Sequence, residues 1–199
     1  LTTLGYRTEA IKGFNWMFAN QNSDGSWYNL YDDQKPIELN KQTNYSSYLA
    51  VAIWHFYLIN NDITFLRNHW ESIKRGIIFS LSLQNDNGAI AWNIDKKGEI
   101  DDDYLLTGCS SIAKSLECAI AISQILDHKS IEKEWRVAHA KLIRAIENPT
   151  GIFDLKKDRS RFSMDSYYPI LGGISSKNTV SSLISSVKKS FWVKGLGIK

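Results

Sequence analysis

Within five residues, Glu99-Ile100-Asp101-Asp102-Asp103, the chain places four carboxyl groups. Crowded carboxylates raise one another's pKa, so one of them can hold a proton at neutral pH and act as an acid. Asp101, Asp102 and Asp103 are therefore candidate catalytic residues, and Asp165 is a candidate partner. Cleavage of a glycosidic bond is one reaction that uses such a pair, with the carboxyls about 6.5–9.5 Å apart in inverting enzymes. The rings of Trp27, Tyr28, Tyr31, Trp92, Tyr104, Tyr167 and Tyr168 could stack on sugar faces or stabilise a carbocation. Asn44 and Arg161 add polar groups that could hold a substrate. Each feature has a plainer reading beside the chemical one. The acidic run could be a solvated loop or a helix N-cap, and any one ring could be core packing.

Metal chemistry finds little support. A catalytic zinc takes three protein ligands, yet His55, His69, His128 and His139 are scattered with no His-x3-His or Cys-x2-Cys pair. Neither a metal nor a cofactor is expected. His55 falls in an uncharged stretch and reads as a hydrogen-bonded core histidine. Cys109 and Cys118 lie nine residues apart in one helical stretch, on opposite faces, so they cannot bridge each other. Cys109 reads as a buried structural thiol, and the pair suits a reducing compartment such as the cytoplasm. The net charge of +3 is spread along the chain, with a lysine excess near the C-terminus that reads as a solvated face and not as a nucleic-acid footprint. No stretch reaches the ~20 apolar residues of a membrane span.

The elements that must position these groups are helices. Six are predicted from apolar periodicity, over about 6–21, 44–60, 62–84, 108–126, 130–147 and 176–191. The second contains no Lys, Arg, Asp or Glu, and the fourth contains only Lys114 and Glu117, whereas the third and fifth are amphipathic. Uncharged helices belong inside and amphipathic ones outside. Tight turns at Asn60-Asn61-Asp62 and Asp127-His128-Lys129 join helices two to three and four to five, so these pairs run antiparallel. The other connections are long and must all emerge at one end, forming a mouth. Short ribbons are expected at Ala89–Trp92 and Ile152–Leu155. The N-termini of inner helices face the mouth and suit anions or polarised oxygens. Asn44, the Asp101–Asp103 run, Arg161, Asp165, Tyr167 and Tyr168 fall at these places.

One motif is used twice: Gln21-Asn-Ser-Asp24-Gly25-Ser26-Trp27 and Gln84-Asn-Asp86-Asn-Gly88-Ala-Ile-Ala-Trp92, with the Gln and Gly residues 63 positions apart in each case. Such a period marks repeated supersecondary units. Gln-x3-Gly-x-Trp turns between inner and outer helices resemble the α/α toroid of terpenoid cyclases and protein prenyltransferases. The Glu99-x-Asp101-Asp102 run resembles the Asp-x-Asp-Asp run of cyclases that begin by protonation, which would make Asp101 the donor. Leu105–Ser111 and Phe162–Pro169 resemble bacterial proteins labelled prenyltransferase. The stretch Asn44–Trp92 also resembles six-hairpin glycosidases such as glucoamylases. In those proteins the general acid follows the Trp corresponding to Trp92, where this chain carries Asn93.

The fold expected is all-α, a partial α/α toroid of about six helices in one domain over 1–199. Half a twelve-helix toroid, starting at Leu1 and stopping in Gly-Leu-Gly-Ile-Lys, reads as a fragment of a longer protein. The resemblances imply a small-molecule substrate, isoprenoid on the first reading and sugar on the second. A toroid scaffold without catalysis is a third reading. Oligomeric state is open.

Overall fold

The computed structural model describes residues 1–156, 158–159, 161–174 and 177–198, with backbone alone for residues 166 and 177–179. Among the described residues, eight α-helices follow a 3-10 turn: α1 (Arg7–Ala19), α2 (Thr43–Asn60), α3 (Ile63–Asn68), α4 (Trp70–Leu81), α5 (Leu106–Ile125), α6 (Lys129–Glu147), α7 (Met164–Leu171) and α8 (Lys177–Phe191). Helix α2 packs on α5 and α5 on α7, forming an inner arc. Helices α4, α6 and α8 back the three inner ones, in hairpin pairs. This is a partial α/α toroid.

Two expectations are corrected here. The third helix breaks at His69, which ends α3 and starts α4. Burial explains the break, because the half-buried His69 ring stacks on Phe18 at 3.9 Å and packs on Phe65 at 4.4 Å. The long connection after α6 also holds the short helix α7, despite Pro169 in its interior.

Helix α2 is not buried on all sides. Tyr45, Tyr48, Leu58, Ile59 and His55 form an open stripe along it. The arc leaves the axis side of its inner helices uncovered, so an uncharged helix keeps one solvent-facing edge. His55 is hydrogen-bonded, but to Thr3 Oγ1 at the surface, 3.0 Å away. Elsewhere α2 is core: Ile53 and Phe56 are fully buried with Leu116, Ile122 and Trp135. Phe14 of α1 meets Phe56 edge to face at 5.5 Å. Burying each such side chain stabilises the fold by about 1.5–3 kcal/mol.

Short ribbons gather the long loops. Strand β1 (Leu30–Asp32) pairs with β2 (Lys35–Glu38) within the first loop. Strand β3 (Lys41–Gln42) precedes α2 and pairs with β4 (Asn93–Ile94), which pairs with β5 (Ile100–Asp101). The ribbon expected at Ala89–Trp92 thus lies just after it, and Ile152–Leu155 is a turn. Thr43 Oγ1 donates to the Ala91 carbonyl at 2.8 Å, and the Asp154 amide donates to the Tyr104 carbonyl at 2.9 Å. All three long loops therefore meet at one end, above the N-termini of α2, α5 and α7. The remaining ribbon, β6 (Trp192–Val193) with β7 (Gly197–Ile198), follows α8.

The repeated motif has one job, done twice. Gln21 Nε2 donates to the Gly25 carbonyl at 3.0 Å and to Ser72 of α4 at 2.9 Å. Gln84 Nε2 donates to the Gly88 carbonyl at 2.9 Å and to Ala138 of α6 at 3.0 Å. Each Gln closes its own turn and ties it to the next outer helix. Gly25 and Gly88 both have φ of +92°, and a Cβ at either would drive into a carbonyl oxygen, of Arg75 or of Lys141. Only glycine combines that backbone with that approach. Cys109 fastens the second turn to α5, its Sγ lying 3.4 Å from both the amide and the carbonyl of Ile90. Burial pushes this thiol up to about 12, in keeping with a structural role. Both cysteines are buried and free.

Candidate active site

The acidic run does not act as one unit. Extended backbone alternates its side chains between two faces, so Asp102 leaves on the side opposite to Asp101 and Asp103. Asp102 is exposed and forms an ion pair with Lys156, which holds its carboxyl below the usual range. Asp101, half-buried at the end of β5, accepts from the Asp103 amide at 3.1 Å. Asp103 is only 2% exposed, just before the start of α5.

Asp103 belongs instead to a cluster supplied by the third loop. Arg159 donates through Nε and Nη2 to Asp165, both bonds 2.9 Å long, and its Nε lies 3.9 Å from Asp154 Oδ1. Asp103, Asp154 and Asp165 all hold the Arg159 guanidinium above its ordinary pKa, with Asp165 the strongest. The guanidinium also lies 4.4 Å over the Phe162 ring, a cation–π contact that fixes its plane. Asp103, Asp154, Asp165 and Arg159 thus gather at the mouth end of α5 and α7.

Asp154 is the perturbed member. It sits at φ +56°, a left-handed conformation that Asp tolerates better than most residues. Its carboxyl accepts from the Leu106 amide at the first residue of α5, while its Oδ1 is buried with no hydrogen bond among the described residues. Burial, then the charge of Asp165, push Asp154 up to about 6, against the opposing pull of Arg159. A carboxyl in that range can be a proton donor near neutral pH.

The other sequence-predicted residues divide by burial. Trp27 is 3% exposed, its indole N–H donating to the Met17 carbonyl at 2.8 Å, so its ring is core and does not face the mouth. Tyr31 is half-buried, with its ring edge-on to Trp16 at 5.0 Å and its hydroxyl bonded to the Tyr28 amide at 3.1 Å. Trp92 and Tyr104 are half-buried on the loops around α5. Tyr167 and Tyr168 are half-buried on α7, rings 5.9 Å apart. Arg161 is exposed, 5.2 Å over Phe162. Asn44 stands at the start of α2, its Nδ2 3.4 Å from the Tyr48 hydroxyl and its Oδ1 buried without a partner among the described residues.

Asp103 and Asp165 are brought together. Asp154 and Arg159 complete the cluster, and the sequence did not single them out. Both lie in the charged stretch Asp154-Leu-Lys-Lys-Asp-Arg159, which reads as a solvated loop. Among the described residues no three His, Cys, Asp or Glu side chains are arranged to hold a metal ion, and no helix is long and apolar enough to cross a membrane.

A scan against known protein families matches none of them. The chain is 33% identical over all of its 199 residues to the MMP endo-(1,4)-3-O-methyl-alpha-D-mannosidase of Mycolicibacterium hassiacum. It spans 54% of that relative's length. Among solved structures it is similar to a rhamnosidase from Klebsiella oxytoca with rhamnose bound, with a TM-score of 0.63 and 12% identity. That match covers 87% of this chain and 36% of the rhamnosidase. The likeness supports the fold, a partial α/α toroid.

Proposed function

We propose that this chain forms a carboxylate-lined wall of a sugar-binding mouth in a glycoside-cleaving toroid protein, with mannoside-type oligosaccharides as its substrate class. The observation that carries the reading is the gathering of Asp103, Asp154 and Asp165 around Arg159. Asp154 donates the proton to the glycosidic oxygen, since its carboxyl stays protonated up to about 6. Asp165, gripped by Arg159, is the fixed carboxylate beside it and takes a proton from the water that attacks the anomeric carbon as the glycosidic bond breaks, while Asp103 holds the cation from behind. Trp92, Tyr104, Tyr167 and Tyr168 offer ring faces beside the cluster. The mannosidase similarity supports the sugar class, and nothing in the comparisons supports an isoprenoid substrate.

The test is turnover of α-mannooligosaccharides, with and without 3-O-methyl groups, by the full-length protein and its Asp154→Asn variant. Asn keeps the left-handed backbone and the shape but has no acidic proton. A positioned general acid is worth about 10²–10⁴-fold in rate. Loss of that order with binding retained supports the reading, and unchanged turnover removes Asp154 from the chemistry.

A further inference from the structure

Each Gln turn docks on a strip of the next outer helix, and the two strips differ at one end. In the first unit Gln21 donates to the Ser72 carbonyl, Arg75 donates to Gln21 Oε1 at 2.6 Å, and Gly25 lies against the Arg75 carbonyl. His69, three residues before Ser72, extends this strip along the same side of α4 and carries the Phe18 ring of α1. In the second unit Ala138 and Lys141 stand where Ser72 and Arg75 do. The residue three before Ala138 is Trp135, which is fully buried and has no proton to gain. We propose that His69 makes the first turn acid-sensitive: on protonation the end of α1 and the Gln21 turn loosen from α4, while the Gln84 turn stays on α6. The proposal does not depend on the sugar reading of the mouth.

The place of the ring accounts for the sensitivity. His69 joins α3 to α4 and lies half-buried, face on to Phe18 with 11° between the planes, and against Phe65. Phe65 in turn packs on Phe14 at 5.5 Å, so the histidine belongs to the aromatic cluster that seats α1. Charged groups on the three helices that meet at the ring are engaged with one another or stand apart from it. Arg7 pairs with Asp62 at the start of α3, Lys74 pairs with Glu71, and Arg75 is held by Gln21. Glu9, Lys12 and Arg67 complete the set. None of them acts on His69, whose pKa is lowered by burial alone. An imidazolium there sheds hydration with no carboxylate to replace it. The contribution of the neutral ring to stability is therefore fully present above its ordinary value of 6.5 and is lost as pH falls through the lowered one. The loosened segment matters to the mouth because it anchors the first long loop. Trp27 donates to the carbonyl of Met17, the residue before Phe18.

The two turns provide an internal comparison. The Asn22 and Gly25 amides close the first turn, and those of Asn85 and Gly88 close the second in the same pattern. Hydrogen exchange at these amides, corrected for intrinsic rates, is followed in the full-length protein from pH 7.5 to pH 5. Stopping at pH 5 keeps Asp24 of the first turn ionised, since against the pull of burial the bonds from Lys41 and Ser26 hold its carboxyl below its ordinary 3.8. In wild type, protection of Asn22 and Gly25 should fall severalfold across this range, while that of Asn85 and Gly88 holds. His69→Phe keeps a ring on Phe18 without a proton and should abolish the fall. His128→Phe, which alters the ring stacked on Trp70, should respond as wild type does. Protection that is constant in the first turn of wild type, or that falls equally in both turns, overturns the proposal. So does an acid response of the first turn that survives in His69→Phe.

Discussion

Arg159 holds Asp165 in a two-pronged grip, Nε to Oδ2 and Nη2 to Oδ1, both 2.9 Å. The same guanidinium lies 3.9 Å from Asp154 Oδ1 through its Nε. One residue therefore both orients a carboxylate and tunes an acid. Removing its charge with Arg159→Gln frees Asp154 from an attraction that opposes burial and the charge of Asp165. The Asp154 carboxyl should then titrate higher still. The high-pH limb of the pH–rate profile should move upward in this variant, while turnover falls as Asp165 loses its alignment. Arg159→Lys keeps the charge without the fork, so it should lower turnover and leave the limb in place. A limb that stays put in Arg159→Gln would separate Asp154 from that pH dependence.

The twin turns predict stability effects, not catalytic ones. Gln84→Ala leaves the carbonyls of Gly88 and Ala138 without their donor, a loss of about 1–3 kcal/mol. For a chain of this size each kcal/mol lowers Tm by about 2–4 °C. Gly88→Ala should cost more, because the left-handed backbone and the Lys141 carbonyl both reject a Cβ. Thermal melts of both variants beside Gln21→Ala check this. Equal, negligible shifts in all three would mean the turns do not brace the fold.

The same motif shows what was legible in the sequence. Gln21 and Gln84, with glycines at a fixed offset, disclosed a repeat, and charge alternation sorted inner from outer helices. Those signals are local or periodic, and the toroid follows from them. The Asp154–Arg159 cluster is neither. Its members come from two regions some fifty residues apart, Asp103 and the loop Asp154–Asp165, and Asp154 becomes perturbed only when folding buries it against α5 and Asp165. The run at Asp101–Asp103 was conspicuous because its members are adjacent, yet extended backbone sends Asp102 to solvent and Asp103 inward. Helix α7 was obscured by Pro169, which single-residue propensity places outside helices.

Asp102 provides a contrast. Its partner Lys156 is half-exposed, and surface pairs of this kind contribute little. Asp102→Asn should leave both Tm and turnover close to wild type. A collapse of turnover there would return the whole acidic run to the mechanism.

Asp154 also links pH to stability. Its pKa rises from its ordinary value of 3.8 to about 6 on folding, so its contribution to stability is fully present below 3.8 and is lost as pH rises through about 6. The ionised carboxyl is what the fold tolerates poorly. Asp154→Asn should therefore raise Tm by a few degrees at pH 8 and have little effect near pH 4, as read by melts across that range. A Tm difference that does not grow between these pH values would place Asp154 in a more solvated setting.

The most direct test of the account is the pH–rate profile of the full-length protein on an α-mannooligosaccharide, set beside that of Asp154→Asn. The account predicts wild-type turnover that declines as pH rises past about 6, and a variant slowed by about 10²–10⁴-fold with that limb gone. A variant that turns over at the wild-type rate with the wild-type profile would contradict it.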